Sequence, residues 1–166
     1  KVWLDKTNDK LVDQLNYSQR AWIRKLGYQE EIEKNRVYAF NTERLSGEGV
    51  RTNSFIDHFF SAAAGFKPLA ILNANGFHEG TTVHYFDWCE ASLNYKKHLL
   101  ETWDGYDLDK WLLENDLQYN FSSTYRANYK QFWEQELKEF GGNLAFQRLW
   151  TRYRNLKHQF HVIDIV

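Results

Sequence analysis

The 166-residue sequence has no methionine, one cysteine and one proline. Because Cys89 has no second cysteine to pair with, an internal disulfide is excluded and a reducing, cytoplasmic location is expected. No stretch reaches the roughly 18 consecutive apolar residues of a membrane span, and the N-terminus lacks the pattern of a signal peptide, so no membrane contact is expected. The missing initiator methionine and a strand-like run that stops at Val166 suggest a piece of a longer chain.

The sequence also has almost no net charge. Its 21 basic and 22 acidic residues leave a net charge of −1, so there is no overall attraction to nucleic acid, which is not an expected partner.

Apolar residues, by contrast, are plentiful: 43% of the residues are hydrophobic and 17% are aromatic. Disordered chains lack such a content. We therefore predict one domain over residues 1–166, with a helical N-terminal segment over 1–36.

Hydrophobic spacing predicts the elements of this domain. Apolar side chains three and four residues apart indicate helices at 11–26, 55–63, 90–103, 125–140 and 146–156, with a short helix after Asp107. Runs of β-branched and aromatic residues indicate strands at 37–40, 81–86 and 160–166. Residues 69–72 fit either a short helix or a strand. This order predicts an α/β fold with a small Rossmann-like, mainly parallel sheet of about three strands and a large helical complement.

Two predicted loops lie beyond the carboxyl ends of strands, where open α/β sheets bind ligands. The first contains Gly47 and Gly49, whose lack of a side chain allows a ligand to approach the backbone, although an ordinary surface loop has the same composition. The second contains Asp87 and Trp88, where a carboxylate can accept hydrogen bonds from ribose hydroxyls and an indole can stack on a base. Alternatively, Asp87 and Glu90 cap the helix that follows.

The residues around this second loop resemble a known family. Residues 83–93 read VHYFDWCEASL, with Lys96 and Lys97 beyond, and over residues 37–93 the chain resembles class I methyltransferases that use S-adenosylmethionine. The resemblance implies a small-molecule cofactor, S-adenosylmethionine, and an acceptor of unknown identity. It implies that Asp87 contacts the ribose and Trp88 the adenine. It also implies contacts to the methionine part of the cofactor from four residues of the preceding loop: Asn41, Glu43, Gly47 and Gly49.

Two alternative functions start from other residues. Asp107 and Asp109 form a D-x-D pair that resembles the metal and sugar-nucleotide site of some glycosyltransferases, because two carboxylates at this spacing can share a divalent cation. Helix capping by Asp107 accounts for the same residues. The other alternative is a helix-rich interaction domain without catalysis, in which part of the aromatic content forms a partner surface.

Three further side chains have ordinary structural interpretations. His158 and His161 are three residues apart, which is a metal-ligand spacing on a helix. The sequence instead predicts that they lie on either side of a change from helix to strand, so no metal site is expected. Cys89 has no activating base nearby in sequence, and we expect a small buried thiol.

Overall fold

The structure is a computed structural model that describes residues 16–22, 25, 35–40, 55–121 and 128–163. The chain divides into two compact units, Lys1–Asn35 and Arg36–Val166. In the first unit, residues 17–22 are helical, inside the helix predicted at 11–26. Tyr17 and Trp22 of this segment have exposed side chains. The second unit contains the sheet and the helices described below.

Five described strands form two parallel sheets. They are β1 (Arg36–Val37), β2 (Ile56–Ala62), β3 (Phe77–Asp87), β4 (Asn120–Phe121) and β5 (Lys157–Val162). β1 pairs with β4, and the larger sheet has the order β2-β3-β5. Ala62 lies opposite Phe86, and Asp87 lies opposite Val162, so these strands end along one edge. The predicted fold class, a small and mainly parallel α/β sheet of three strands with many helices, is confirmed.

Helices connect the strands. They are α1 (Lys67–Asn75), α2 (Glu90–Thr102), α3 (Leu108–Glu114), α4 (Tyr129–Glu139) and α5 (Asn143–Arg154). The ambiguous residues 69–72 belong to α1, which has Pro68 in its first turn and ends at Gly76 (φ 86°). Proline is tolerated in a first turn because the backbone N–H groups there have no intrahelical partner. The helix predicted at 90–103 is confirmed as α2.

The strands of the larger sheet lie side by side in the order in which they occur in the chain. Both connections between neighbouring strands therefore run in the same direction across the sheet. Right-handed crossovers then bring the connecting helices to one face of the sheet. Val83 and Tyr85 point to the helical side and are fully buried. The opposite face, which we call the open face, carries His58, Phe60 and His161, and Phe60 is 63% exposed. The strand order does not reverse within this sheet, so the described strands contain no switch point.

Aromatic side chains fill the helical side. The rings of Trp103 and Trp150 have centroids 4.8 Å apart, and Phe66 packs edge-on against Phe146 at 5.4 Å. Both indole N–H groups have acceptors, since Trp103 donates to the Tyr106 carbonyl at 2.6 Å and Trp150 donates to the Trp103 carbonyl at 3.2 Å. Large buried rings give this unit its core without methionine.

The helix predicted at 55–63 is wrong, because these residues form β2. The apolar side chains there fit a helical period, yet Phe60 is largely exposed and cannot belong to a buried helical face. The segment instead forms a strand that pairs with β3. A strand is favoured by its aromatic residues. This correction matters for the site, because it places the end of a strand immediately before residues 63–66.

Several predicted boundaries also shift. The strand predicted at 37–40 is limited to β1, with Ala39 and Phe40 buried beyond its end. The final strand begins at Lys157 rather than at residue 160, so His158 and His161 both lie within β5 and the predicted change from helix to strand between them is wrong. Strand side chains alternate between faces, and these two histidines therefore point to opposite sides of the sheet.

Candidate functional site

The carboxyl ends of β2 and β3 meet the start of α2, and Asp87 lies at this junction. Its side chain is half-buried, and its Oδ1 accepts a hydrogen bond from the backbone N–H of Cys89 at 2.9 Å. Burial raises the pKa of Asp87, while backbone N–H groups of Cys89, Trp88 and Ala63 oppose that rise. The carboxylate is thus held in place by the protein and remains partly open to solvent.

Trp88 follows Asp87 at the same edge. Its indole is 43% exposed, whereas Trp103, Trp133 and Trp150 of the same unit are buried and Trp111 is partly buried. The next residue, Cys89, begins α2 as its N-cap, and its thiol is buried as predicted. An exposed ring beside a fixed carboxylate can bind a ligand that combines a flat base with hydroxyl groups.

A loop of small residues borders Asp87 on its other side. This loop, which we define as residues 62–66 and which includes Ala62 at the end of β2, leads to α1 and reads Ala-Ala-Ala-Gly-Phe. Ala63 and Gly65 are buried, and Gly65 has a φ of 48°, a conformation that glycine adopts without steric cost. The Ala63 backbone N–H interacts with the Asp87 carboxylate. Small side chains in a first strand-to-helix turn allow a ligand to lie against the backbone.

The predicted site residues fall into two groups. Asp87 and Trp88 lie at the carboxyl edge of the sheet, as the sequence predicts. Asn41, Glu43, Gly47 and Gly49 lie outside the described residues, so their contacts to the methionine part of the cofactor stay a prediction.

The 62–66 loop is not among the site residues that the sequence predicts. The sequence predicts a helix over residues 55–63, and this helix leaves no strand end ahead of the small residues. A signal for it exists in the sequence, since an aromatic run is followed directly by three alanines and a glycine.

Asp107 of the D-x-D pair forms an ion pair within its own helix. Asp107 is the N-cap of α3, with a left-handed backbone, and it makes no side-chain capping hydrogen bond. Its carboxylate instead pairs with Lys110 at 2.6 Å. The capping position is therefore as predicted, but the side-chain capping interaction is wrong, since the Asp107 carboxylate pairs with Lys110 instead.

The open face carries a row of three histidines. His58 Nδ1 lies 3.0 Å from His84 Nε2, and His84 Nδ1 lies 3.2 Å from His161 Nε2. Phe60 stacks on His84 with ring centroids 4.3 Å apart. Since His84 uses a different nitrogen towards each neighbour, the three rings form a chain of hydrogen bonds. Within the described residues, no group of three or more histidine, cysteine or acidic side chains is arranged to hold a metal ion.

Comparisons with protein-family models, curated proteins and solved structures found no match. Among the residues that the structure describes, no helix is long and apolar enough to cross a membrane. Any function proposed for this chain therefore has to start from its own residues, above all those at the carboxyl edge of the larger sheet.

Proposed function

We propose that this chain is a class I methyltransferase-like protein that binds S-adenosylmethionine at the carboxyl ends of β2 and β3. In this proposal Asp87 accepts hydrogen bonds from the ribose hydroxyls, and Trp88 lies against the adenine. The acceptor of the methyl group is unknown. A cytoplasmic location is part of the proposal, because the single thiol Cys89 is buried and unpaired with another cysteine.

One observation carries the proposal: the small-residue loop after β2 meets an acidic residue at the end of β3. In dinucleotide-binding sheets, the first strand-to-helix turn is small and glycine-containing, and an acidic residue about 20 positions later binds the ribose. Gly65 and Asp87 have this relation in the sequence. The Ala63 N–H is close enough to the Asp87 carboxylate to favour its charged form, which supports a single continuous binding edge.

The residues present fit the chemistry of such a cofactor. The half-buried Asp87 offers acceptor oxygens, the exposed Trp88 offers a flat apolar surface, and the 62–66 loop offers close approach to backbone. Asn41, Glu43, Gly47 and Gly49 remain the proposed contacts for the methionine part. When bound, S-adenosylmethionine supplies an activated methyl group, and the protein's task is to hold the acceptor in line with it.

Calorimetric titration with S-adenosylhomocysteine tests the proposal. We expect binding by the wild type and a loss of about tenfold or more in Asp87→Asn, because hydrogen bonds to a charged acceptor are stronger than those to an amide. Glu90→Gln is the matched control, since Glu90 is an exposed acid three residues further on. No binding by the wild type at about millimolar ligand, or equal affinities for both variants, would contradict the proposal.

The two alternatives differ in support. No observation favours the sugar-nucleotide glycosyltransferase, because Asp107 pairs with Lys110. The alternative of an interaction domain is supported by exposed aromatic side chains on the open face, where Phe60 is 63% and Phe86 is 37% exposed. Sedimentation of the wild type and of Phe60→Ser tests it: an association that the substitution weakens favours a partner surface, and a monomeric wild type counts against self-association.

A further inference from the structure

A buried lysine lies directly behind the 62–66 loop. Lys96 belongs to α2 and is only 3% exposed. Its Nζ donates a hydrogen bond to the Gly65 carbonyl, and it lies 5.6 Å from the ring centroid of Phe66 and 5.8 Å from that of Tyr85. A lysine is almost never fully buried unless its charge is paired, because removing an ammonium group from water costs free energy.

The other titratable groups around Lys96 come from three elements. Glu136 of α4 interacts with it electrostatically and favours the charged form, while His158 of β5 and Tyr85 of β3 lie on the sheet side. Burial outweighs Glu136 and lowers the pKa of Lys96 to about 7. The ammonium therefore changes charge near neutral pH, within a contact to the loop.

The loop is thus attached on two sides. The Ala63 N–H interacts with the Asp87 carboxylate at the outer edge. Two residues later, the Gly65 carbonyl accepts the hydrogen bond from Lys96 on the inner side. Because a peptide unit is planar, fixing the Gly65 carbonyl also fixes the direction of the Phe66 N–H, next to a glycine that is itself in the left-handed region.

We propose that Lys96 is a positioning residue, whose hydrogen bond to Gly65 holds the 62–66 loop in the conformation that meets Asp87 and so sets the affinity of the edge for its ligand. The effect of Lys96 on ligand affinity rests on the proposed function, whereas its effect on the conformation of the loop does not. A protonated Lys96 forms a charge-assisted hydrogen bond, which is stronger than one from a neutral amine. The loop is therefore held more firmly below the pKa of Lys96 than above it.

Hydrogen exchange of the amides of residues 63–66 tests the loop directly. Lys96→Met keeps an unbranched side chain of similar length and removes the donor. We expect these amides to exchange about tenfold faster in Lys96→Met. Lys97→Met removes the same charge from the exposed neighbouring residue, and its loop should exchange as in the wild type. Unchanged loop exchange in a folded Lys96→Met would overturn the proposal.

A second measurement needs no variant and covers the case in which Lys96→Met does not fold. In the wild type, protection of the loop amides, corrected for intrinsic exchange, should fall between about pH 6 and pH 9, whereas amides of the buried core such as Leu99 should follow the free energy of unfolding and not fall. Loop protection that stays constant or rises over this range would overturn the proposal, since the loop would then not be held by the charge on Lys96.

Titration with S-adenosylhomocysteine separates this proposal from the proposed function. If the wild type binds, affinity should fall about tenfold or more in Lys96→Met and remain unchanged in Lys97→Met. Equal affinity in Lys96→Met would overturn the role in binding. If the wild type does not bind, the proposed function fails, and the exchange measurements still decide whether Lys96 positions the loop.

Discussion

Burial of Lys96 predicts a specific dependence of stability on pH. In the unfolded chain a lysine keeps its proton up to about pH 10.4, whereas the pKa of Lys96 in the folded protein is about 7. Between these values the unfolded state binds more protons than the folded state. The free energy of unfolding therefore rises with pH across this interval, and the cost of burying Lys96 is largest below pH 7.

The magnitude follows from the width of the interval. One pKa unit corresponds to about 1.36 kcal/mol, so the contribution of Lys96 grows by about 3 kcal/mol from pH 7 to pH 9.5. Burial raises the pKa values of Tyr85, Tyr95 and Tyr153, so these tyrosines lower stability only when unfolded tyrosine ionises, near pH 10. An upper limit of about pH 9.5 therefore keeps their effect out of the measurement.

Urea unfolding of the wild type, Lys96→Met and Lys97→Met at several pH values is the assay. Subtracting the Lys96→Met curve from the wild-type curve removes every group that the two proteins share. The difference should rise by about 3 kcal/mol over the interval, while Lys97→Met should run parallel to the wild type because Lys97 is exposed. If the difference in the free energy of unfolding between wild type and Lys96→Met does not change with pH, Lys96 does not have a pKa near 7 in the folded protein.

Other predictions concern the core. Gly105→Ala should destabilise the protein by about 2–5 kcal/mol, since a Cβ would lie 2.7 Å from the ring of buried Trp150 at a φ of 98°. Gly142→Ala, at a φ of 96° in open space, should cost only about 1 kcal/mol in the same urea experiment, and equal costs would refute the steric argument. Burial lowers the pKa of His158 to about 4, so its NMR titration should have a midpoint far below 6.5. The contribution of His158 to stability should then fall by about 3 kcal/mol as the pH drops from 6.5 to 4, because unfolded histidine gains the proton first; a midpoint near 6.5 would contradict this.

The strongest local patterns predicted the carboxyl edge correctly. The β-branched and aromatic run before Asp87 favours a strand in any context, and the apolar spacing from Glu90 onward favours a helix. Their junction fixes the position of Asp87 at a strand end and of Trp88 immediately after it. These are local features, so the sequence alone contains the information needed to place them.

The remaining features depend on pairing across the chain. Residues 55–63 fit a helical period as well as they fit a strand, and only their contact with β3 decides between the two. The 62–66 loop was missed for the same reason. Lys96 gives no local signal, because lysines usually face solvent and its burial follows from contact with Gly65, Phe66 and Tyr85.

NMR mapping of backbone amide shifts during a titration with S-adenosylhomocysteine decides whether the carboxyl edge of β2 and β3 binds S-adenosylmethionine, as we propose. We expect the largest shifts on Ala63, Gly65, Trp88 and Cys89, where the loop and the start of α2 meet. Shifts confined to the open face around His84, or no shifts at saturating ligand, would contradict it.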